Sequence, residues 1–215
     1  MAFRGWPAEA LEFYEGLEAD NSKAYWQDHK QLYEQAVRDP MDALLAELAP
    51  EFGAGKVFRP FRDVRFSADK APYKTHIGAT LEKGGYIQFG AEGLAAGSGM
   101  YVMAADQLDR FRRAVADNRT GADLEARIKT ATKKGITVTA RESLKTAPRG
   151  YPKDHPRIDL LRHKGLITWQ QWPVASWLGT KAAKTRVVEF LRGSQPIVDW
   201  LDEHVGASTL PDPRR

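Results

Sequence analysis

Hydrophobic residues in the first fifty positions recur at the spacing of an amphipathic helix. The pattern predicts a helix over 8–18 and a longer one over 22–39, which ends before Pro40 because proline lacks the N–H of a helix interior. A third, short leucine-rich helix follows and is closed by Pro50 and Gly53. The N-terminal part of the chain is therefore predicted to be helical.

Beyond residue 55 the hydrophobic residues recur at every second position. This alternation predicts a strand from Lys56 to Ser67. Pro60 lies inside it and cannot donate to a ladder, which favours an edge position or a bulge. The segment after this strand, S-A-D-K-A-P-Y-K, is too polar to continue it and contains a turn pattern, so it is predicted to be a loop.

A β-hairpin is predicted next, and its register follows from matching the apolar faces. A two-residue turn at 84–85 would pair Leu81 with Gln88, whereas a three-residue loop at 83–85 pairs Leu81 with Ile87. We therefore predict the longer loop, which also pairs Ala79 with Phe89 and Ile77 with Ala91. The opposite, polar face then carries His76, Thr80, Tyr86 and Gln88.

The second half of the chain alternates between helical and extended patterns. Residues 93–99, GLAAGSG, are too glycine-rich for a regular element and lead into a predicted strand at 100–103. Another strand is predicted at 136–140, and the proline-rich segment 145–156 is predicted to be a loop. Helices are predicted over 106–117, 122–134, 157–164, 183–192 and 196–205.

These elements predict an α+β fold, with a central antiparallel sheet flanked by N-terminal and C-terminal helices. The chain has 215 residues, 42% of them hydrophobic, which suffices for one domain over 1–206 followed by a disordered tail over 207–215. There is no cysteine, which excludes disulfides and thiolate chemistry. No stretch approaches the roughly 20 apolar residues of a membrane span, and the N-terminus lacks a signal-peptide pattern, so we expect a cytoplasmic protein without membrane contact.

The positive charge is concentrated in two short segments. The net charge is only +4, but residues 56–76 and residues 145–164 each carry six lysines and arginines against two aspartates. The remaining chain carries 20 basic residues against 24 acidic ones. This distribution indicates a localised anionic partner rather than a diffuse basic surface.

The first basic segment contains the densest group of candidate site residues. If the predicted strand is regular, Arg62 points to the core side with Val64 and Phe66 and needs a carboxylate partner, which a helix could provide. Arginine and lysine together suit a phosphate or a carboxylate. The ligand-binding candidates are Arg62, Arg65, Ser67, Lys70, Tyr73 and Lys74. The alternative is an Arg–Asp network that only stabilises a turn.

The second basic segment adds candidates for binding and for proton transfer. Its prolines restrict the backbone, so Arg149 and Tyr151 could contact a ligand at low entropic cost. His155 follows Asp154 and is a candidate acid or base, although Asp154 could equally cap the helix that begins near Pro156. The catalytic candidates from both segments are Asp63, Asp69 and His155.

Other chemistry has little support in the residue patterns. GLAAGSG matches neither the dinucleotide-binding nor the P-loop pattern, and GAGK at 53–56 is followed by valine instead of serine or threonine. The glycines are better explained by a bulge or by close backbone contact. The five histidines lack metal-ligand spacing, so no metal is predicted, and a site built from His76, Asp63 and Asp69 is the one metal alternative left open. The sequence names no cofactor.

The block R-D-V-R-F-S-A-D-K-A-P-Y-K also carries a family resemblance. With D-N-S-K-A-Y-W in the second helix and P-R-G-Y-P-K-D-H-P in the later loop, it resembles an uncharacterised microbial family, domain-of-unknown-function family 2461. The likeness runs from about Phe3 to Val205, which implies one family domain. It implies no activity, but its motifs cover the same basic residues.

Together these observations lead to a functional hypothesis. The two basic loops are predicted to meet in one pocket that binds an anionic, phosphorylated small molecule, with or without catalysis. One alternative is a nucleic-acid-binding protein, since aromatic residues lie among the cations. The other is a non-enzymatic interaction module in which the arginines and aspartates form a structural network. The sequence leaves reaction type and oligomeric state open.

Overall fold

The computed structural model describes residues 2–65 and 67–210 and confirms the α+β class. The helices are α1 (Ala8–Ala19), α2 (Lys23–Leu32), α3 (Asp39–Phe52), α4 (Ala105–Ala116), α5 (Asn118–Lys133), α6 (Ile158–Arg162) and α7 (Ala182–His204). The strands are β1 (Gly55–Val57), β2 (His76–Leu81), β3 (Gly85–Gly90), β4 (Gly93–Met100), β5 (Thr137–Thr139) and β6 (Leu166–Trp172). They form a six-stranded sheet in the order β1-β2-β3-β4-β6-β5.

The helix over 22–39 does not end before Pro40, so that prediction is wrong. A π-helical turn, Tyr33–Arg38, joins α2 to α3, and Pro40 lies in the first turn of α3. The π turn changes the hydrogen-bond register at this point, and a proline is tolerated in the first turn because its missing N–H is not needed there. Gly53 ends α3 with φ +79°, as predicted, while Pro50 lies inside the last turn.

The predicted strand from Lys56 to Ser67 is also wrong, because β1 ends at Val57. Beyond it a single bridge pairs Phe61 with Tyr73. Pro60 and Pro72 flank this bridge and offer only their carbonyl oxygens, so the ladder cannot continue through either position. The two-face arrangement derived from a regular strand therefore does not apply, and Phe66 lies outside the described residues.

The hairpin of β2 and β3 forms with a register two residues away from the predicted one. Ala79 pairs with Ile87 and Ile77 with Phe89, and the loop is Glu82–Gly84. A shift of two keeps every side chain on its predicted face, so matching apolar faces cannot distinguish the two registers. The polar face of His76, Thr80, Tyr86 and Gln88 is confirmed.

The segment GLAAGSG is a strand, which corrects the prediction of an irregular segment followed by a strand at 100–103. It forms most of β4, and its residues from Gly93 to Ser98 are buried. A Cβ on Gly97 would lie 3.0 Å from the Trp169 ring, and one on Gly99 would lie 2.5 Å from the carbonyl oxygen of Leu166. The close contact expected of these glycines is confirmed, and it is what a strand of small residues permits.

The C-terminal helices over 183–192 and 196–205 are one helix, α7, which runs through Pro196. Apolar residues are buried on both sides of the proline, including Leu191 and Leu201. Their burial, at about 1.5–3 kcal/mol per large side chain, outweighs the roughly 3 kcal/mol cost of an interior proline. After α7, Ser208 and Thr209 hydrogen-bond the Asp106 carboxylate, while residues 211–215 of the predicted tail lie outside the described residues.

The chain divides into two compact units, each with its own aromatic packing. The first comprises residues up to Ala96 together with Gln171–Glu189. Its core includes Trp6 stacked on Phe89, with ring centroids 4.5 Å apart. The second comprises Gly97–Gln170 and the residues from Phe190 onward, and Phe111 packs edge-on against Trp200 in it. A helix long and apolar enough to cross a bilayer is not found among the described residues.

Candidate functional site

The first basic segment forms a loop, Arg59–Lys74, which we call the basic loop. Two backbone hydrogen bonds close its base, one from the Arg62 N–H to the Pro72 carbonyl and one from the Lys74 N–H to the Pro60 carbonyl, both 2.8 Å. These bonds place Pro60 opposite Lys74. The residue before Pro60, Arg59, therefore lies at the same end of the loop as Lys74.

Tyr73 anchors the basic loop to the helices of its unit. Its ring is only 4% exposed and stacks on Trp26 with centroids 4.4 Å apart. The Asn21 side chain accepts from the Tyr73 N–H at 3.0 Å and donates to the Tyr73 carbonyl at 3.2 Å, as a neighbouring strand would. Tyr73, a predicted ligand contact, thus contributes its ring to the core.

Arg62 finds its carboxylate partner within the loop instead of on a helix. Its guanidinium donates to Asp69, whose other oxygen accepts from the Ala71 N–H at 2.9 Å. The Ala71 bond first, and then Arg62, lower the pKa of Asp69. Both residues therefore belong to a turn network, and a carboxylate held ionised in this way is poorly suited to proton transfer near neutral pH.

Arg65 and Asp63 form a second, bidentate pair. The Arg65 Nε and Nη2 atoms donate to the two Asp63 oxygens at 3.0 and 2.7 Å. These hydrogen bonds lower the pKa of Asp63 to about 2. The pair is exposed, which limits its contribution to stability, but it fixes the direction of both side chains.

The other cations of the basic loop do not form an ion pair of this kind among the described residues. Lys70 Nζ donates to the Val64 carbonyl at 3.0 Å, and the Ser67 N–H donates to the same oxygen at 3.3 Å. In the part of the chain that the structure describes, neither Arg59 nor Lys74 pairs with a carboxylate. Burial and then the charge of Arg59 lower the pKa of Lys74. Two cations are thus held near each other without an ion pair of their own, and the charge of Arg59 is felt by the Asp63 carboxylate, whose pKa it helps to lower.

Exposed aromatic rings lie beside this pair of cations. The Lys74 ammonium lies 5.3 Å from the centroid of the Phe58 ring, which is 38% exposed. The Phe61 ring is 49% exposed and contacts Tyr73, with centroids 5.4 Å apart. Two large apolar side chains are therefore exposed at the end of the basic loop where Arg59 and Lys74 lie.

A polar cavity of about 180 Å³ lies at the start of β2, and we call it the His76 cavity. Its lining includes the polar residues Glu18, Thr75, His76, Gln88, Glu92 and Gln171, and the other residues of 90–95 complete it. Gly90 pairs with His76, and a Cβ there would lie 2.7 Å from the Thr75 carbonyl oxygen. The absence of a side chain opposite the imidazole helps to leave this space open.

Hydrogen bonds orient the polar side chains of the His76 cavity. The Tyr86 hydroxyl donates to Gln88 Oε1 at 3.0 Å, and Gln171 Nε2 donates to Glu92 at 3.1 Å. Burial first, and then the Lys74 charge, lower the pKa of His76. Its imidazole is therefore neutral at pH 7 and can both donate and accept. Sequence reasoning found the polar face but missed the cavity, because the cavity depends on Gly90 lying opposite His76.

The most buried cation of the second basic segment, Arg157, has a structural role. Arg157 is 8% exposed and donates to the carbonyls of Val115, Ala116 and Asp117 at 2.7, 3.2 and 3.1 Å. It also pairs with Glu125 at 3.4 Å. These carbonyls lie at the C-terminal end of α4, where helical partners are absent, so Arg157 satisfies the end of a helix. Sequence reasoning missed this role.

His155 has a local partner in the same segment. Its Nδ1 accepts from the Arg157 N–H at 3.0 Å, so this nitrogen takes part in the hydrogen bonding of the turn before α6. The alternative that Asp154 caps this helix is wrong, because Arg157 is the N-cap residue and no side chain caps it. The imidazole accepts from the N–H of the N-cap residue itself and does not cap the helix, and Asp154 is exposed.

The two predicted ligand contacts of this segment differ in exposure. Arg149 is exposed, while Tyr151 is partly buried. Burial first, and then the Asp109 carboxylate, raise the pKa of Tyr151. The basic loop belongs to the first unit and this segment to the second, so a pocket shared by both remains a prediction. Within residues 2–65 and 67–210, three or more potential metal ligands do not come together anywhere.

Comparisons with known proteins identify a family and a distant solved structure. No curated protein matches the chain. A conserved hypothetical protein, Pfu-178653-001 from Pyrococcus furiosus, is similar over 79% of this chain and 95% of its own, with 12% identity and a TM-score of 0.38. The model of a family of conserved hypothetical proteins, DUF2461, matches residues 9–200. Because this match spans most of the chain, the protein belongs to the DUF2461 family, as the basic motif predicted.

Proposed function

We propose that the base of the basic loop binds a phosphorylated or otherwise anionic small molecule between Arg59 and Lys74. The observation that carries the proposal is the neighbouring pair of cations, neither of which forms an ion pair among the described residues, although the Asp63 carboxylate bound to Arg65 also feels the charge of Arg59. Like charges held together oppose folding, and a bound anion removes that cost. Sites with this property are frequently functional.

The other cations of the loop support the site in a different way. Arg62 and Arg65 already bind Asp69 and Asp63, so they hold the shape of the loop. Lys70 donates to a carbonyl and not to a carboxylate, so it adds to the positive potential of the loop. The anion site is therefore compatible with a structural Arg–Asp network, because different residues form the two.

The exposed rings of Phe58 and Phe61 favour a second candidate. Aromatic faces beside cations are what single-stranded nucleic acids require, since bases stack while phosphates meet Lys and Arg. Such binding falls steeply with salt. Because the proposed site rests on two cations of the described part of the basic loop, Arg59 and Lys74, the small anion is the better supported candidate.

A thermal-shift titration with inorganic phosphate tests the proposal. A ligand at a hundredfold over its Kd stabilises by about 2.7 kcal/mol, which for this chain length raises Tm by roughly 5–10 °C. The wild type should show this shift and Lys74→Met should lose it. Lys56→Met, which removes an exposed lysine of β1, is the matched control and should retain it.

Two outcomes would decide against the proposal. Equal Tm shifts in all three proteins would mean that phosphate binds elsewhere. A wild-type Tm that stays unchanged up to the highest phosphate concentration would refute the proposed site. A parallel titration with a short single-stranded oligonucleotide separates the second candidate. Salt-sensitive binding that Phe61→Ala abolishes would favour nucleic acid over the small anion.

A further inference from the structure

The His76 cavity belongs to the same unit as the proposed anion site and limits what can enter it. Its volume of about 180 Å³ lies below the roughly 300–1,000 Å³ of pockets for drug-sized molecules. It is large enough for several water molecules, each of which occupies about 30 Å³ in the liquid. The occupant therefore has the size of a single small ring or a short polyol.

The charges of the lining decide which part of a ligand can lie inside. Glu18 and Glu92 contribute carboxylates, and no lysine or arginine lines the cavity. A phosphate placed there would be repelled by both carboxylates and would meet no cation. The group inside must be uncharged, and an attached phosphate must remain outside, where Lys74 lies.

The hydrogen-bonding groups of the lining match hydroxyls. Carboxylates only accept, the amides of Gln88 and Gln171 both donate and accept, and a neutral imidazole does one of each. Hydroxyl groups do both and can satisfy all three kinds of partner. An apolar body of equal size would remove water from these groups without replacing the hydrogen bonds, which is unfavourable.

His76 connects the cavity to the anion site. The ammonium of Lys74 is near enough to lower the pKa of the imidazole, and Thr75 between them also lines the cavity. Lys74 is next in the chain to the lining residue Thr75 and two residues from His76, which is about 7 Å along an extended backbone. One small molecule can reach both places.

We propose that the His76 cavity binds the polyhydroxylated body of a small sugar phosphate or polyol phosphate, while the phosphate group contacts Lys74. This inference rests on the proposed function, because it assigns the phosphate to the same two cations. It adds the chemical class of the remainder of the ligand, for which Gln88, Glu92 and His76 are the determining residues.

Calorimetric titrations with matched phosphates test this inference. The probes are inorganic phosphate, butyl phosphate, glucose 6-phosphate, ribose 5-phosphate and glycerol 3-phosphate. We expect at least one hydroxylated phosphate to bind about tenfold or more tightly than butyl phosphate, which corresponds to about 1.4 kcal/mol. Gln88→Leu and the rim variant Glu92→Ala should each reduce this preference without weakening inorganic phosphate.

An NMR measurement of His76 provides a second readout that does not depend on folding of the variants. The imidazole resonances of the wild-type protein should shift on addition of the preferred hydroxylated phosphate and much less with butyl phosphate. If phosphate and butyl phosphate bind while none of the three hydroxylated compounds binds more tightly, this inference is overturned and the anion site stands. If no phosphate compound binds, both proposals fail.

Discussion

The two basic segments of this protein have the same charge but use it differently. Each carries six cations against two aspartates. In the basic loop Arg62 and Arg65 pair with the two aspartates, while Arg59 and Lys74 form no ion pair among the described residues. The second segment buries Arg157 against the end of α4. Burial and hydrogen-bond partners, and not the density of charge, separate a candidate binding surface from a structural element.

The comparison also shows how each segment keeps its shape. The basic loop is held at its base by Tyr73, whose backbone bonds to Asn21 and whose ring stacks on Trp26. The second segment is held by one guanidinium that reaches three backbone carbonyls. In the first case the side chains of Arg59 and Lys74 make none of the hydrogen bonds that anchor the loop.

The largest effect should follow from removing the structural arginine. Arg157→Ala leaves the carbonyls of Val115, Ala116 and Asp117 without this partner and Glu125 without its cation. We expect the free energy of unfolding, measured by urea denaturation, to fall by about 3–5 kcal/mol. Arg157→Lys keeps the charge but not the planar fork, so its free energy of unfolding should lie between those of the wild type and Arg157→Ala.

The matched control is Arg149→Ala in the same segment. Arg149 is exposed, so its removal should change the free energy of unfolding by no more than about 0.5 kcal/mol. Equal effects of the Arg157 and Arg149 variants would refute the distinction between the two kinds of cation in this segment.

A smaller effect should follow from loosening the anchor of the basic loop. Asn21→Ala removes the two hydrogen bonds to the Tyr73 backbone, which should cost about 1–2 kcal/mol in the free energy of unfolding. Asn21→Asp keeps the acceptor for the Tyr73 N–H but loses the donor, so it should cost less. Hydrogen exchange of the Tyr73 amide should be faster in the alanine variant, and an unchanged rate would argue against the anchor.

The sequence predicted the class of fold better than its details, for physical reasons. Periodicity identified α4 and the hairpin strands because each buries one face. It failed for β4, because glycine and alanine suggest flexibility unless the neighbours that need the space, such as Trp169, are known. It also missed β6, and it wrongly predicted that helices end at Pro40 and Pro196. Pro40 lies in the first turn of α3, where its N–H is not needed, and at Pro196 burial on both sides outweighs one lost hydrogen bond.

The sequence predicted the position of the candidate site but not the ion pairs within it. Charge density indicated the basic loop, yet strand alternation predicted a helix carboxylate for Arg62, while Asp69 seven residues away is the partner. The loop between the two prolines determines that pairing, and no periodic pattern describes it. The His76 cavity depends on a hairpin register that apolar matching leaves ambiguous by two residues.

The smallest effect concerns the exposed pair of Asp63 and Arg65 and appears only at low pH. The pKa of Asp63 is lowered to about 2 by Arg65, compared with about 3.9 in an unfolded chain. Its contribution to stability is therefore complete above about pH 4 and lost as the pH falls towards 2. Arg65→Gln should raise the pKa of Asp63 in a carboxyl NMR titration, although the backbone N–H of residue 65 and the charge of Arg59 continue to lower it. An ordinary value in the wild type would refute the pairing.

The central claim, an anion site at Arg59 and Lys74, is tested most directly by the side-chain pKa of Lys74 with and without inorganic phosphate. NMR of the Lys74 ε-carbon in the free protein should give a pKa below the ordinary lysine value, because of burial and the neighbouring Arg59. Saturating phosphate should raise it, since a bound anion favours the ammonium form. A Lys74 pKa that phosphate leaves unchanged would contradict the account.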